Sequence, residues 1–263
     1  MYSAHRLQAH YLAASMTIQT PEELAGLQRV GKLVARVLDA MQRHAQPGMT
    51  TLSLDQYGRR LLEQAGARSA PELTYNFPGA TCISVNEQLA HGVPGSYRLQ
   101  HGDLVNVDVS AELDGFFGDT GGSFVLGTPT DAQRRVCVGA KAALQAALDQ
   151  VRTGAPLRGI GAAIERTARA HGLQCVRNLG SHGVGRALHE EPEFIPGFDD
   201  PRERRRLHEG QVITIEPFLS TGGRWAHDGD DGWTLYGEPG HIAAQYEHTL
   251  VVTRDGPLLM TVP

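Results

Sequence analysis

Gly102-Asp103-Leu104-Val105-Asn106-Val107-Asp108 and Gly210-Gln211-Val212-Ile213-Thr214-Ile215-Glu216 decide the fold, because each ends the same series of elements. In the first, Val105, Val107 and Val109 alternate with Asn106, Asp108 and Ser110. A period of two sends the valines to a core and Asp108 to the opposite, polar face of a strand over residues 104–110. Ile213 and Ile215 against Thr214 and Glu216 repeat the pattern. Superposing the leading glycines puts Asp108 on Glu216.

The segments before the two strands match as well. Thr20-Pro21-Glu22-Glu23 opens a helix, with Thr as N-cap, Pro at the first position and Glu closing a capping box. Leu24, Leu27, Val34, Leu38 and Met41 follow at helical spacing, and Pro47-Gly48 ends the run. A second helix is predicted over residues 52–65, stopped by Gly66. Thr130-Asp131-Ala132-Gln133 opens another long helix, with Val136, Ala140, Leu144, Ala147, Leu148 and Val151 on one side and Gly154 at its end. A shorter helix over residues 157–170 stops at Gly172. His91-Gly92-Val93 follows the first helix pair and His182-Gly183-Val184 the second. The order is that of an internal duplication: two α+β halves, roughly residues 16–127 and 128–263, related by an approximate two-fold axis and sharing one curved antiparallel sheet. Met16 begins MTIQTPEEL, which reads as a chain start, so residues 1–15 are expected to be a dispensable extension to a single catalytic domain over residues 16–263.

Composition narrows the function. The chain has 263 residues, 41% hydrophobic, with a formal net charge of −5 and 6% aromatic content. That is enough apolar material for one large domain or two fused halves. It does not suit a DNA-coating protein. No apolar stretch has the length of a membrane span, and residues 1–15 lack the apolar core of a secretory signal. Three widely spaced cysteines, Cys82, Cys137 and Cys175, argue against a disulfide framework and for a cytoplasmic setting.

Asp119 lies just past the turn Leu113-Asp114-Gly115, so Asp108 and Asp119 flank a hairpin. Over residues 245–252, Gln245, Glu247 and Thr249 share one face of a predicted strand. Packing the halves about a two-fold axis would converge Asp108, Asp119, Glu216 and Glu247. An acidic side chain on a polar strand face is usually just solvated, and a histidine before glycine is often a turn residue. Matched across a duplication, the set reads differently. Four carboxylates in one cleft raise one another's pKa unless cations compensate, and no Lys or Arg cluster flanks these strands. Hard oxygen ligands with one imidazole, from His182 or His91, suit Mn, Fe, Co or Zn as divalent ions better than a structural thiolate site.

The strings NEQLAHGVP (86–94), LVNVDV (104–109), GDT (118–120), SHGVG (181–185), HEEP (189–192), ITIEP (213–217), DGWT (231–234) and QYEHTLVV (245–252) resemble the type I methionine aminopeptidases, in that family's order and close to its spacing. The resemblance covers residue 16 to the C-terminus and implies the pita-bread fold. It implies a hydrolase that removes initiator methionine from nascent proteins and peptides with a small second residue. By this resemblance two divalent ions are held by Asp108, Asp119, His182, Glu216 and Glu247. Asp119 and Glu247 bridge, and a hydroxide shared by both ions attacks the first carbonyl. Glu216 shuttles the proton, while His91 and His189 contact substrate. The resemblance also implies a monomer whose partners are nascent N-termini.

The methionine pocket implied by the resemblance includes Phe77, Cys82 and Trp233, with Phe77 in place of the usual tyrosine. Pro71 and Thr74 stand where the family usually has cysteine and tyrosine, and Leu188 replaces a phenylalanine. Apolar walls for a flexible thioether tolerate such drift, whereas a widened pocket would relax the preference for methionine. Tyr75 and Asn76 are read as a loop bordering the site, and Cys82 and Trp233 have plain packing roles as alternatives. The arginine-rich run at residues 202–206 reads as a solvated loop, with a weak contact to ribosomal RNA as its functional alternative. Two other functions compete. A proline-specific peptidase shares the fold but usually carries an extra N-terminal domain. A metal-free binding module would have lost ligands, and here all five are kept. No HExxH helix or GxSxG elbow occurs.

Overall fold

The computed structural model describes residues 16–263, so the expectation about residues 1–15 lies outside the described residues. Helix α1 (Pro21–His44) starts as its sequence requires. Thr20 Oγ1 accepts the Glu23 N–H at 3.2 Å, and Glu23 Oε2 accepts the Thr20 N–H at 3.3 Å. Helix α2 (Thr51–Gln64) is capped by Thr50. A short α3 (Ala70–Tyr75) follows, and Tyr75, expected in a loop with Asn76, is its last residue. The helix signal was present, since Ser69 Oγ accepts the Glu72 N–H at 3.3 Å with Pro71 in the first turn. Helix α4 (Asp131–Leu148) carries a second capping box, from Thr130 and Gln133, and α5 (Arg158–Ala170) completes the second pair.

Each pair packs on its own strands. Leu27, Val30, Val34 and Val37 of α1 share a fully buried core with Val105, Val107 and Val109. Val136, Ala140 and Leu144 of α4 and Ile160 and Ile164 of α5 do the same with Ile213, Ile215 and Leu250. Close approach of α1 to the first hairpin needs glycine: a Cβ on Gly118 would stand 3.2 Å from the Gly31 amide nitrogen. That hairpin joins the strands Leu104–Leu113 and Phe116–Val125 through Asp114 (φ 54°) and Gly115 (φ 81°). Two consecutive left-handed residues match the right-handed twist of a two-residue turn.

The antiparallel ladders fall into four groups, and the halves meet where the strand Phe116–Val125 lies against residues 245–249. There Gly122 bridges to Tyr246, the Glu247 N–H donates to Gly121 O at 3.0 Å, and Thr249 Oγ1 donates to Asp119 O at 2.7 Å. Residues 245–252 are not the continuous strand the alternation suggested. Ala243–Gln245 and His248–Val252 are separate strands, with Tyr246 and Glu247 between them. Opposite this gap, Glu216 and Pro217 interrupt Val212–Ile215 and Phe218–Ser220, with Ile215 facing His248 and Phe218 facing Gln245. Pro217 has no N–H to give the ladder, so pairing stops there. Both glutamates therefore lie in facing breaks, where main chain and side chain are free to turn inward.

Residues 16–18 form an edge. Val212 N–H donates to Met16 O at 3.1 Å and Ile18 N–H to Gly210 O at 2.8 Å, while Met16 N–H donates to buried Glu190 at 2.6 Å. In the arginine-rich run, Arg202 pairs with Asp200, Arg205 pairs with Glu203, and Arg206 donates to Gly154 O. Among the described residues, no helix is long and apolar enough to cross a membrane.

Candidate metal centre

Asp108 sits mid-ladder, facing Cys82 on one neighbouring strand and Gly121 on the other. Asp119 faces Ser110, whose hydroxyl donates to Asp119 Oδ1 at 2.8 Å. Asp108 lies within interaction reach of Asp119, a contact that raises the Asp108 carboxyl and acts to lower that of Asp119. From the second half, His182 brings Nε2 to 3.8 Å from Asp119 Oδ2 and 3.4 Å from Glu216 Oε1. Donor atoms of Asp119, His182 and Glu247 lie within 4.8 Å of one another. The five residues named from the sequence are thus drawn together from both halves, across the seam described above.

The imidazole orientation is set by the main chain. His182 Nδ1 lies 2.9 Å from Gly183 O. A carbonyl only accepts, so the proton is on Nδ1 and the Nε2 lone pair faces the carboxylates. On Glu247, Oε2 accepts from Gln245 Nε2 at 3.1 Å, and Gln245 Oε1 in turn accepts from Asn106 at 2.9 Å. Glu247 Oε1 is buried with no hydrogen-bond partner. An acceptor left bare in the interior is costly unless something positive meets it.

Electrostatics agree with that need. Burial first, then mutual repulsion, pushes the carboxyls of Asp108, Glu216 and Glu247 well above the usual carboxylate range. Asp119 is raised by burial, but less, because His182, Ser110 and Asp108 favour its charged form. The imidazoles of His91, His182 and His189 are pushed down, chiefly by burial. Four acidic groups disfavoured as anions, a bare carboxylate oxygen and an aimed imidazole lone pair fit divalent cations bound among Asp108, Asp119, His182, Glu216 and Glu247.

A pH dependence follows for protein stripped of divalent ions by a chelator. Glu247 has a folded-state pKa above its unfolded value of about 4.3, so the folded state holds more protons as pH rises from there. Stability is full below the unfolded pKa and is lost as pH climbs through the raised one. The buried histidines act oppositely, losing stability as pH falls below about 6.5. Comparison with Glu247→Gln cancels them. Between pH 5 and pH 8 the chelated variant should gain in melting temperature relative to chelated wild type. A constant gap would contradict the assignment of burial and repulsion at Glu247.

Around the centre, His91 takes a left-handed conformation (φ 52°), and the next residue has room only for glycine, since a Cβ on Gly92 would lie 2.2 Å from Ile83 O. The turn lies against the strand Cys82–Val85, with Ile83 N–H donating to Gly92 O at 2.9 Å. The His189 ring packs against His182 with centroids 4.1 Å apart and planes tilted by 33°. Phe77 and Trp233 meet edge to face at 5.3 Å and 89°, as aromatic quadrupoles prefer. Burial pushes the Cys82 thiol well up, so it is a neutral apolar group. Pro71 is buried in α3, Thr74 is half-buried, and Leu188 belongs to the first core. Tyr75, read from the sequence only as a loop neighbour, places its hydroxyl 2.6 Å from His189 Nδ1.

Comparison with known proteins accords with this geometry. Residues 25–254 match the sequence model of metallopeptidase family M24. A methionine aminopeptidase of Staphylococcus epidermidis is 44% identical over 247 residues, spanning 94% of this chain and 98% of that one. The crystal structure of methionine aminopeptidase from Rickettsia prowazekii superposes with a TM-score of 0.89 at 34% identity, covering 94% and 100% of the two chains. Prolidase from Pyrococcus furiosus shares the fold at a TM-score of 0.75 and 23% identity, but only 66% of its length is covered. Matched over nearly its whole described length, the chain belongs to metallopeptidase family M24, among its methionine aminopeptidases.

Proposed function

We propose that this chain removes the N-terminal methionine from newly made proteins and peptides with a small second residue, acting in the cytoplasm as a monomer with two divalent ions. The observation that carries the reading is the bare Glu247 oxygen among the buried carboxylates of Asp119, Glu216 and Glu247, with the His182 imidazole aimed at them. The names of the similar proteins supply the substrate class. Asp108, Asp119, His182, Glu216 and Glu247 would hold the ions, with Asp119 and Glu247 shared between them. The metal is Co, Mn, Fe or Zn. When bound, such ions act as Lewis acids and make water acidic enough to serve as a nucleophile near neutral pH.

The protein's own groups do the rest. Glu216, whose charged form is disfavoured by burial, takes a proton from water and hands it to the leaving amine. His91 and His189 sit at the exposed mouth of the site, their imidazoles pushed down by desolvation and by neighbouring histidines, and offer N–H donors to the oxyanion as it forms. Phe77, Cys82 and Trp233 line the methionine pocket, with Phe77 and Trp233 as its aromatic corner. A ribosomal contact through residues 202–206 is not carried into this reading, because Arg202 and Arg205 are already paired.

Cleavage of Met-Ala-Ser, Nle-Ala-Ser, Leu-Ala-Ser and an Xaa-Pro peptide across the four metals tests the proposal. Met-Ala-Ser should be preferred, with Leu-Ala-Ser at least about tenfold worse, the scale of a shape change in an apolar pocket. Preferential turnover of the Xaa-Pro peptide would replace the reading with the proline-specific one. Inactivity toward all peptides at saturating Mn²⁺ and Co²⁺ would favour a binding module. Equal rates on methionine and leucine would show that Pro71, Thr74 and Leu188 have widened the pocket.

A further inference from the structure

We propose that Tyr75 is a positioning residue for His189: its phenol O–H donates to His189 Nδ1 and fixes the imidazole as the tautomer with its proton on Nε2. The inference rests on the reading of His189 as an oxyanion donor, and it states what makes the residue a donor.

The phenol is delivered by a braced element. Tyr75 is the last residue of α3, and the chain leaves through Asn76 in the left-handed conformation (φ 56°, ψ 36°), whose N–H returns to Glu72 O at 3.0 Å. The helix start is fastened by Ser69 Oγ, which donates to Ala80 O at 2.9 Å. Its middle is held from α2 by Arg59, which grips both oxygens of Glu72 at 2.8 and 2.6 Å. The Tyr75 hydroxyl then lies 2.6 Å from His189 Nδ1, with the rings 5.6 Å apart and tilted by 56°.

The direction of that hydrogen bond follows from the partners. A phenol O–H is a stronger donor than a neutral imidazole N–H, and imidazole nitrogen is a stronger acceptor than phenol oxygen. The pairing O–H to Nδ1 therefore wins over its reverse. Burial, with Asp119 nearby, keeps the phenol protonated up to about 12. With Nδ1 used as an acceptor, Nε2 carries the only proton of neutral His189.

The two neighbouring rings are then complementary. His182 has its proton on Nδ1, held by Gly183 O, and presents a bare Nε2. His189, 4.1 Å away, presents an Nε2–H. One imidazole offers a lone pair and its neighbour offers a proton. In the other tautomer His189 would also offer a lone pair, giving cations a competing nitrogen and the oxyanion no donor. The Tyr75 hydroxyl thus gives the two neighbouring rings opposite chemistry at Nε2.

Long-range 15N–1H NMR of the histidine-labelled, metal-free protein reads the tautomer directly and needs no turnover. In wild type, His189 should show a protonated Nε2 and an unprotonated Nδ1, and in Tyr75→Phe an averaged pair. An Nδ1-protonated His189 in wild type, or an unchanged pattern in Tyr75→Phe, overturns the proposal. With metal bound, Tyr75→Phe should lower kcat by about tenfold with KM within about twofold, the scale of one lost hydrogen bond. In a His189→Ala background the same substitution should add nothing. A full additional loss there would show that Tyr75 acts through some other group. If the chain fails to cleave methionine while the expected tautomers are seen, the functional reading falls and the tautomer assignment stands.

Discussion

Glu247→Gln should empty the metal centre. In the folded protein Glu247 Oε2 is committed to the Gln245 amide, and Oε1 is the bare oxygen aimed into the cluster. A glutamine at this position must still accept from Gln245, which assigns its single oxygen to that bond. Its NH2 group then takes the place of the bare oxygen and directs two donor hydrogens at the cations. The substitution replaces an anionic ligand by a group of the wrong polarity at one point. Loss of groups that merely orient a ligand costs about 10–100-fold in metal affinity, so loss of the ligand itself should cost about 100-fold or more. Elemental analysis after gel filtration should show well under one ion per chain, and calorimetric titration the weakened binding. Peptide cleavage should fall in parallel. Full occupancy in the variant would remove Glu247 from the bridging role. The same change makes the metal-free protein more tolerant of alkaline pH, so lost metal and gained stability together exclude simple misfolding.

His91→Ala should do the reverse: keep the metal and lose the rate. His91 is outside the set of five side chains and reaches the cleft from the turn before Gly92. Removing one donor to a developing oxyanion costs about 100- to 1,000-fold in turnover, and kcat should drop on that scale with metal content unchanged. The left-handed backbone at His91 complicates alanine, because L-residues other than Gly, Asn and Asp are strained there by about 1–2 kcal/mol. His91→Asn is the matching control, since asparagine accepts that conformation without supplying an imidazole. Both variants should be slow, and only the alanine form should also melt lower. Wild-type turnover in either variant would take His91 out of the mechanism.

The two cases show why His91 was visible in the sequence while the arrangement around it was not. His91-Gly92-Val93 repeats as His182-Gly183-Val184, and repetition alone marks both histidines. It cannot say that one ring is locked by the carbonyl of the next residue and that the other comes from a strained turn. Tyr75 is the clearest omission. Ser69-Ala70-Pro71-Glu72 has the form of a helix start, yet six residues are too few for an apolar period to register, and Tyr75 reads from its neighbours as a loop residue. Its contact with His189 spans 114 positions, and no local pattern encodes a contact at that distance.

Periodicity, capping and repetition determined what the chain could state locally. The capping boxes at Thr20 and Thr130, the buried valines opposite Asp108 and the hairpin turn at Asp114-Gly115 all depend on neighbours within a few positions, where sterics and hydrogen bonding of the chain with itself decide the outcome, and repetition of such local patterns matched Asp108 with Glu216. Tertiary structure decided the rest. Glu216 and Glu247 lie in facing strand breaks rather than within strands, because the seam between the halves takes the backbone groups of Tyr246 and Glu247 from the ladder. The same seam buries Asp119, Glu216 and Glu247 beside a half-buried Asp108 and leaves one oxygen bare. A chain segment specifies which side of a strand a carboxylate occupies. Only packing of the two halves specifies what it faces, how far its proton is held, and which nitrogen of a neighbouring ring is free.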